Sequence, residues 1–511
     1  MSEGAPWIFG DARPNQPAAI VADTGAELSF GDLNNRSARL ANCFVAQGLV
    51  AGDAIALLLE NGTDFFVALW AARRAGLLCV PLNWHLAPPE ISWILDDCHA
   101  RAVIASRRFT GLVDTAARPG LLRYADADVV GWQCLDMVIG QASATRPEIE
   151  IGGGMMLYSS GTTGRPKGII ASGGQGKSLD QLTTYEELYR DFHEVDAASI
   201  VLTAGPLYHA APLNWAIGSQ RLGATVYIFR QFDAALCLDV LEAHSVSHVQ
   251  MVPIHFVRLL KLPKAVRQAA RPAALKRVVH AGAPCPVVVK AQMLEWWGPF
   301  IWEYYSGSEG FGMTAISPQE WLAHPGSVGR PHYGGEIAIV GPDQQVLPSG
   351  DIGTIYFTEP KPFDYRGQEQ AAREAYHEKG WATFGDMGWL DAEGYLYLAD
   401  RRDNMIISGG VNIYPAEIEA VLIEHPDVTD VAVIGIPDKE YGEQVHAVIE
   451  AKRGASEAFE QELCRMTNER LARFKTPRSF EFAAALPRSE AGKLVKRELR
   501  DLYWGDARVR I

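Results

Sequence analysis

Disulfide frameworks, secretion signals and membrane spans leave marks that this sequence lacks. Its seven cysteines are scattered over 511 residues without a CxxC pair, so we expect buried or incidental thiols in a reducing compartment. The segment from Met1 to Asp11 has no basic stretch followed by an apolar one, as a secretion signal would. The apolar runs at 54–59 and 65–72 are too short to cross a bilayer. We therefore expect a cytoplasmic protein without an integral membrane segment.

Positive charge is also in deficit. The chain has 47 Lys and Arg residues against 61 Asp and Glu residues, so its formal net charge is −14. A surface for nucleic acid or an anionic membrane needs clustered Lys and Arg, and we therefore expect no nucleic-acid partner. A local basic site for one phosphorylated ligand stays compatible with this balance. The chain is too long for one ordinary hydrophobic core, so two or more domains are expected.

Short apolar runs alternate with segments of helical period through most of the chain. Ala54 to Leu59 predicts a strand, Asp64 to Arg73 a helix, and Leu78 to Leu82 another strand. Further strands are predicted at 199–203, 224–229, 247–252, 276–281 and 300–305, with a helix at 286–297. This alternation is typical of βαβ units. It predicts an α/β fold, with mainly parallel sheets sandwiched by helices in a large N-terminal domain at 1–402.

The pattern changes after residue 400. A helix is predicted from Pro415 and another at 457–472, with strands near 428–434, 444–450 and 478–483. These elements are typical of a small α+β domain. We place its boundary in the polar stretch Asp400 to Asn404, so the C-terminal domain spans 403–511.

A glycine-rich segment from Tyr158 to Gly168 follows the apolar run Met155 to Leu157. Glycines let backbone N–H groups approach an anion closely, and hydroxyls and a lysine add donors. A polyphosphate is the expected ligand, although the segment does not fit the Walker pattern. A flexible surface loop would have a similar composition. The candidate ligands of ATP here are Ser159, Ser160, Gly161, Thr162, Thr163, Gly164 and Lys167.

This segment resembles the phosphate loop of the adenylate-forming superfamily, which includes acyl-CoA synthetases, luciferases and the adenylation domains of peptide synthetases. Further matches follow in the family's order from Asp32 to about Glu498. The resemblance implies an ATP-dependent acid–thiol ligase that forms acyl-CoA, AMP and pyrophosphate through an acyl-adenylate. It also implies ATP, Mg²⁺ and CoA as cofactors, and a small carboxylic acid and CoA as partners.

The resemblance carries several nucleotide-binding roles to this chain. Gly282-Ala283-Pro284 is similar to the loop against the adenine face, and the Asp386 carboxylate suits the two ribose hydroxyls. Arg401 corresponds to a ribose-contacting arginine. The stretch 304–309 resembles the family pattern Tyr-Gly-x-Thr-Glu, which assigns Tyr305 to ATP, Ser308 to the α-phosphate and Glu309 to Mg²⁺.

Two positions in this stretch depart from the family pattern. Ser306 stands where glycine is usual, and Ser308 stands where threonine is usual. Ser308 keeps the hydroxyl, so the chemistry is expected to survive, whereas Ser306 could alter the neighbouring acyl pocket. Pro206-Leu207-Tyr208-His209 resembles the segment whose histidine lies beside that pocket. The expected pocket residues are His209, Ala210, Trp215, Ser306 and Met313.

The residues of the expected acyl pocket indicate the class of the acid. Small residues after His209 and apolar or aromatic candidates for the pocket walls favour a bulky apolar acid, such as an aryl, cinnamate-like, alicyclic or fatty acid. Packing of the same residues in a core is an equal alternative.

The remaining matches lie in the C-terminal domain. Asp403 corresponds to a hinge residue, and the resemblance implies that this domain is mobile. Gly409, Gly410, Tyr441 and Lys475 are assigned to CoA. The frame Pro487-Arg488 followed by Gly492-Lys493 resembles the motif of the adenylation lysine. The expected catalytic residues are Lys493, Ser308, Glu309 and His209.

Other functions remain open. A ligase that loads a carrier-protein thiol, or a luciferase-like oxygenase, would share the adenylation chemistry. A non-catalytic nucleotide-binding relative would share the fold alone. Loss of the lysine, the glutamate or the glycine-rich loop would indicate that last case, and all three are present here.

Overall fold

The computed structural model describes residues 6–115, 120–146, 150, 152–159, 167–171, 176, 178–179, 181–365, 375–401, 404–409, 411–488 and 494–504. The chain divides into two compact units. The first comprises Met1–His280, Ser306–Phe311 and Lys361–Glu374, and the second comprises Ala281–Tyr305, Gly312–Pro360 and Ala375–Ile511. Among the helices in the described ranges, none is long and apolar enough to cross a membrane.

The first unit alternates strands and helices, as the sequence predicts. Its strands are β1 (Pro17–Val21), β2 (Glu27–Ser29), β3 (Ala54–Leu58), β4 (Leu78–Pro81), β5 (Ala100–Ala105), β6 (Leu122–Ala125), β7 (Gln133–Cys134), β8 (Met156–Ser159), β9 (Lys167–Ala171), β10 (Ile200–Thr203), β11 (Thr225–Ile228), β12 (His248–Met251) and β13 (Arg277–His280). Its helices are α1 (Pro6–Ala12), α2 (Phe30–Ala46), α3 (Thr63–Arg74), α4 (Pro88–Asp97), α5 (Thr110–Asp114), α6 (Leu135–Gln141), α7 (Thr184–Asp191), α8 (Ala210–Arg221), α9 (Ala234–Ala243), α10 (Pro253–Leu260) and α11 (Lys264–Ala269).

Two sets of parallel strands organise this unit. One sheet has the order β4-β3-β5-β6-β7, and all of its pairs are parallel. In the other set, β13, β12, β10, β11 and β1 are parallel neighbours, and β2 adds an antiparallel edge. All five residues of β3 are buried, which is expected of a strand covered by helices on both faces. The predicted parallel α/β architecture is confirmed.

The second unit begins with mostly antiparallel strands. After α12 (Val287–Trp297) come β14 (Ile301–Ser306), β15 (Met313–Ile316), α13 (Pro318–Ala323), β16 (Ser327–Tyr333), β17 (Ile337–Val340), β18 (Gly353–Phe357), β20 (Asp386–Leu390) and β21 (Leu396–Arg401). The spatial order is β17-β18-β20-β21-β16-β15-β14. The sequence analysis made no prediction for the strands at 313–401, because short strands joined by tight turns give weak periodic signals.

The C-terminal elements match the predicted small α+β domain. They are β22 (Ile406–Ser408), β23 (Val411–Ile413), α14 (Pro415–Leu422), β24 (Val428–Asp438), β25 (Gly442–Ala451), α15 (Glu457–Arg470), β26 (Ser479–Ala483) and α16 (Lys496–Trp504). The helix predicted at 457–472 ends two residues earlier, and the strands β24 and β25 are longer than predicted. Arg401 closes β21, while 402–403 lie outside the described residues, so the domain boundary at 402/403 stays a prediction.

Candidate active site

The predicted phosphate loop connects two antiparallel strands. In the hairpin of β8 and β9, Ser159 pairs with Lys167. A third strand, β19 (Phe363–Tyr365), extends the hairpin on the other side of β9. The loop residues Ser160, Gly161, Thr162, Thr163 and Gly164 lie outside the described residues. The structure therefore describes the strands that carry the loop at each end.

The hairpin is tethered to α4 by Tyr158. Its hydroxyl donates a hydrogen bond of 2.5 Å to Oδ2 of Asp97, and its ring meets Trp93 edge-to-face at 6.0 Å. A Cβ at position 168 would lie 3.1 Å from the Tyr158 hydroxyl, which explains the glycine there. The sequence analysis missed Trp93 and Asp97, although their spacing of four residues places both on one face of a helix.

Ser308 and Glu309 lie on a tight turn at the end of β14. The N–H of Gly310 donates to the carbonyl of Gly307 at 3.1 Å, and Gly310 has a φ of 67°. Ser306, Ser308 and Glu309 are all half-buried. The turn thus carries a hydroxyl and a carboxylate on successive residues, and neither residue is fully buried.

The residues after this turn are firmly held. Phe311 is fully buried, its carbonyl accepts a 2.9 Å hydrogen bond from the N–H of Lys361, and its ring lies 4.9 Å from that of Phe363. Burial lowers the pKa of Lys361, and the Glu187 carboxylate partly offsets this effect. The segment leading into β19 therefore fixes the turn from its C-terminal side.

His209 and Ala210 lie together at the start of α8. His209 is the N-cap residue, and its N–H donates to the carbonyl of Pro206 at 3.1 Å. Both residues are partly exposed, although Nε2 of His209 is itself buried, and their place in the acyl pocket stays a prediction. Met313, the last of the predicted pocket residues along the chain, is buried in β15 of the second unit.

Trp215 has a different environment. Its ring is only 2% exposed, and it meets Tyr189 at 5.0 Å and His193 at 5.4 Å, both edge-to-face. This arrangement matches the core-packing alternative. Its role as a pocket wall stays a prediction.

The candidate adenine loop joins β13 to α12. Gly282 has a φ of 86°, a conformation that favours glycine. Ala283 is half-exposed and Pro284 is exposed. The loop therefore offers backbone and small side chains to a flat ligand surface.

The candidate ribose residues come together in the second unit. The Tyr305 hydroxyl donates a 2.7 Å hydrogen bond to Oδ2 of Asp386, and the Tyr305 ring packs against Phe384 at 5.7 Å. Asp386 is the direct cross-strand partner of Arg401 between β20 and β21; only the backbone of Arg401 is described. Three residues assigned separately from the sequence therefore occupy neighbouring positions.

Two of the candidate CoA residues are in direct contact. The N–H of Gly409 donates to the carbonyl of Tyr441 at 2.8 Å. Gly409 has a φ of 57°, and a Cβ there would lie 3.0 Å from the Tyr441 ring. The N–H groups of Tyr441 and Glu440 donate hydrogen bonds to the Asp438 carboxylate. These bonds fix the turn and lower the pKa of Asp438. Gly410 lies outside the described residues.

Lys475 lies beside a pocket that the sequence analysis did not predict. Its Nζ is 2.6 and 2.8 Å from the two carboxylate oxygens of Glu417. The pocket has a volume of about 560 Å³ and is lined by Asn468, Arg473, Phe474, Thr476, Pro477 and Arg478. The Arg478 guanidinium also lies 4.0 Å from the centre of the Tyr441 ring. Two arginines and an aromatic ring that is 51% exposed suit a phosphorylated aromatic base.

Lys493 lies outside the described residues, but both flanks of its segment are fixed. On one side, the Arg488 guanidinium pairs with the buried Asp430 carboxylate, with Nη2 at 2.6 Å from Oδ1. On the other side, Lys496 Nζ lies 2.8 Å from Glu419. The N–H of Val495 donates to the carbonyl of Pro487 at 2.7 Å, so the two flanks also meet. Asp403, the predicted hinge residue, is outside the described residues as well.

Comparisons with known proteins agree with this arrangement. A family model described as AMP-binding enzyme matches residues 9–364, and one described as AMP-binding enzyme C-terminal domain matches 417–493. The long-chain-fatty-acid–CoA ligase FadD13 of Mycobacterium tuberculosis is 32% identical over 504 residues, which cover 96% of each chain. The feruloyl-CoA synthase of an Amycolatopsis species is 32% identical over 507 residues, which cover 97% of this chain and 98% of the relative.

A solved structure shows the same fold. The anthranilate CoA ligase AuaEII in complex with anthranoyl-AMP superposes with a TM-score of 0.84 at 25% sequence identity, covering 99% of this chain and 98% of that chain.

Proposed function

We propose that this chain, an AMP-forming acyl-CoA synthetase of the AMP-binding enzyme family, acts on a bulky apolar or aromatic carboxylic acid. The observation that supports the nucleotide assignment most directly is the Tyr305–Asp386 hydrogen bond beside Arg401. This bond orients the Asp386 carboxylate, and a carboxylate can accept hydrogen bonds from both hydroxyls of a ribose.

In the first half-reaction, a carboxylate attacks the α-phosphate of ATP and pyrophosphate leaves. Both reactants are anions, so catalysis depends on positioning and on neutralising charge at phosphorus. We assign the neutralisation to Lys493 and to the loop that joins β8 and β9, and the contact with the α-phosphate to the Ser308 hydroxyl. His209 and Ala210 line the acid's side of the site.

Glu309 is the proposed protein ligand of Mg²⁺. Within the described ranges no group of three His, Cys, Asp or Glu residues could hold a metal ion by itself. A single carboxylate from the protein fits Mg²⁺ bound to ATP, because the ion usually takes one or two carboxylates and completes its shell with phosphate oxygens and water. Glu309 is only half-buried on its turn, which is compatible with this role. The ion would neutralise phosphate charge there.

In the second half-reaction, the CoA thiol attacks the acyl-adenylate and AMP departs. We assign the pantetheine to the turn of Gly409 and Gly410 against Tyr441. Lys475, together with Arg473 and Arg478 of the neighbouring pocket, is assigned to the CoA nucleotide. The proposal includes a rotation of the C-terminal domain about Asp403 between the two steps, which would withdraw Lys493 and bring Gly409 to the acyl-adenylate.

Two observations support the choice of acid, namely the small residue Ala210 beside His209 and the acids named for similar proteins. One relative is named for long-chain fatty acids and another for ferulate, and the superposed structure holds an aromatic acyl-adenylate. A reducing, cytoplasmic location is part of the proposal, and the seven scattered cysteines without a CxxC pair support it.

The test is pyrophosphate and AMP release by the purified protein with Mg²⁺, ATP, CoA and a panel of acids. The panel contains acetate, octanoate, palmitate, benzoate and ferulate. We expect turnover with one or more of the larger acids and little with acetate. A preference for acetate would contradict the bulky-acid proposal. Pyrophosphate release without consumption of free CoA would favour the carrier-protein alternative, and no release with any acid would favour a non-catalytic relative.

A further inference from the structure

A buried ion pair joins α12 to β14. The Nζ of Lys290 lies 2.6 Å from Oε2 of Glu303. Lys290 is 0% exposed and Glu303 is 6% exposed, so the pair is shielded from water almost completely. Neither residue was singled out in the sequence, and neither has a part in the function proposed above.

Each residue of the pair is close in the chain to a segment assigned to the nucleotide. Lys290 is in the first turn of α12, which begins three residues after the loop Gly282–Pro284. Glu303 precedes Tyr305 by two residues on β14, and Ile301, Glu303 and Tyr305 are the buried positions of that strand. Residues two apart on a strand face the same side. The ion pair therefore cross-links the element behind the adenine loop to the strand that carries Tyr305.

The surroundings leave the charges little freedom. Lys290 Nζ also lies 4.9 Å from the ring centre of Trp321, which is itself buried. Burial raises the pKa of Glu303, and the Lys290 ammonium opposes that rise. Burying two charges removes their hydration, and an apolar pair of similar volume is often equally stable or more stable. Stability alone is thus a poor reason for a charged pair at this place, whereas a fixed geometry between its two elements is a better one.

We propose that Lys290 and Glu303 are positioning residues for ATP, whose ion pair holds the loop Gly282–Pro284 in register with Tyr305. Through the Tyr305–Asp386 hydrogen bond the pair also orients the carboxylate assigned to the ribose. This inference rests on the proposed function, because it takes those segments to be the nucleotide site. Neither side chain touches a reactant.

The decisive variant is the apolar double substitution Lys290→Met with Glu303→Leu in the full chain. We expect it to stay folded with a thermal midpoint close to that of the wild type, since no charge is left unpaired. ATP and AMP should bind about tenfold more weakly by calorimetry. In pyrophosphate release, the KM for ATP should rise by a similar factor, while kcat at saturating ATP changes little. Wild-type affinity in the folded double variant overturns the proposal.

Two further variants separate positioning from plain structural support. The control is Arg470→Met with Glu424→Leu, which removes the pair between α15 and the end of α14 and should leave ATP affinity unchanged. An equal loss of affinity in the control would overturn the proposal. If the apolar double variant fails to fold, Glu303→Gln replaces it, because glutamine can still accept a hydrogen bond from Lys290 without carrying charge. The same criterion of weaker ATP binding then applies.

Failure of the proposed function gives a different result from failure of this inference. If the wild-type chain itself binds neither ATP nor AMP, the nucleotide assignment is wrong. If the wild type binds both and the folded Lys290 and Glu303 variants bind equally well, only the positioning role is wrong.

Discussion

Tyr305→Phe isolates one hydroxyl of the candidate nucleotide site. In the wild type this hydroxyl donates to Asp386 at 2.7 Å, and the Tyr305 residue is almost completely buried. Phenylalanine keeps the ring contacts with Phe357 and Phe384 and removes only the donor. The Asp386 carboxylate then loses the contact that orients it before a ribose arrives.

The size of the effect follows from the type of bond. A hydrogen bond to a charged group contributes about 1.5–3 kcal/mol, which corresponds to a factor of about ten to a hundred in an equilibrium constant. The Tyr305–Asp386 bond is already present without ATP, so only part of its free energy affects ATP binding. We therefore expect the KM for ATP to rise about tenfold, near the lower limit. Because the hydroxyl is not assigned to the reacting phosphate, kcat at saturating ATP should change little.

The assay is pyrophosphate release at varied ATP, with AMP binding measured by calorimetry. Tyr397→Phe is the matched control. Tyr397 lies on β21, next to the strand of Asp386, and the variant removes a tyrosine hydroxyl that lies 3.5 Å from the Asp391 carboxylate. We expect that control to behave as the wild type. If Tyr305→Phe left both the KM for ATP and the affinity for AMP unchanged, the assignment of Asp386 to the ribose would be refuted.

Three other perturbations test separate parts of the molecule. Lys493→Ala should lower adenylate formation about a hundredfold or more, yet preserve thioester formation from supplied acyl-adenylate, and an equal fall in both half-reactions would contradict the assignment. Arg488→Met leaves the buried Asp430 carboxylate without its guanidinium partner and should lower the free energy of unfolding by about 3 kcal/mol. Adding Asp430→Asn should recover part of that loss in denaturant titrations. Acid should also destabilise the chain, because burial lowers the pKa of His248 to about 4 and that of His255 to about 3 from an ordinary 6.5. The free energy of unfolding is unaffected by these histidines above about pH 6.5. At pH 5 it is lower by about 2 kcal/mol for each of them, because the unfolded chain binds the proton more strongly. An equal urea midpoint at pH 7.5 and pH 5 would show that these histidines are not held neutral.

The local sequence was informative wherever structure depends on neighbours along the chain. The apolar run Ala54 to Leu59 predicted a buried parallel strand, and β3 occupies Ala54–Leu58. The helix predicted from Pro415 begins there, because proline suits the first turn of a helix. The glycine-rich segment and the frame around Lys493 were recognisable for the same reason, since their residue types and spacing are contiguous.

Contacts between distant segments depended on the tertiary structure alone. Tyr158 meets Asp97 across 61 residues, and Tyr305 meets Asp386 across 81. A periodic pattern reports which face of an element is buried, but it does not report which other element covers that face. Lys290 is hidden from sequence analysis in the same way, because a lysine in a helix normally lies in solvent.

By itself, the sequence indicated the family and the reaction class, through contiguous motifs that resemble those of the family. Local periodicity also predicted part of the parallel fold, namely β3, β4 and β10 to β13. Only the tertiary structure decided the antiparallel pairing of 313–401, the pocket with Arg473 and Arg478, and the burial of the Lys290–Glu303 pair. Strand register and charge burial arise from contacts between segments that are remote in the chain, and such contacts form only when the whole chain packs.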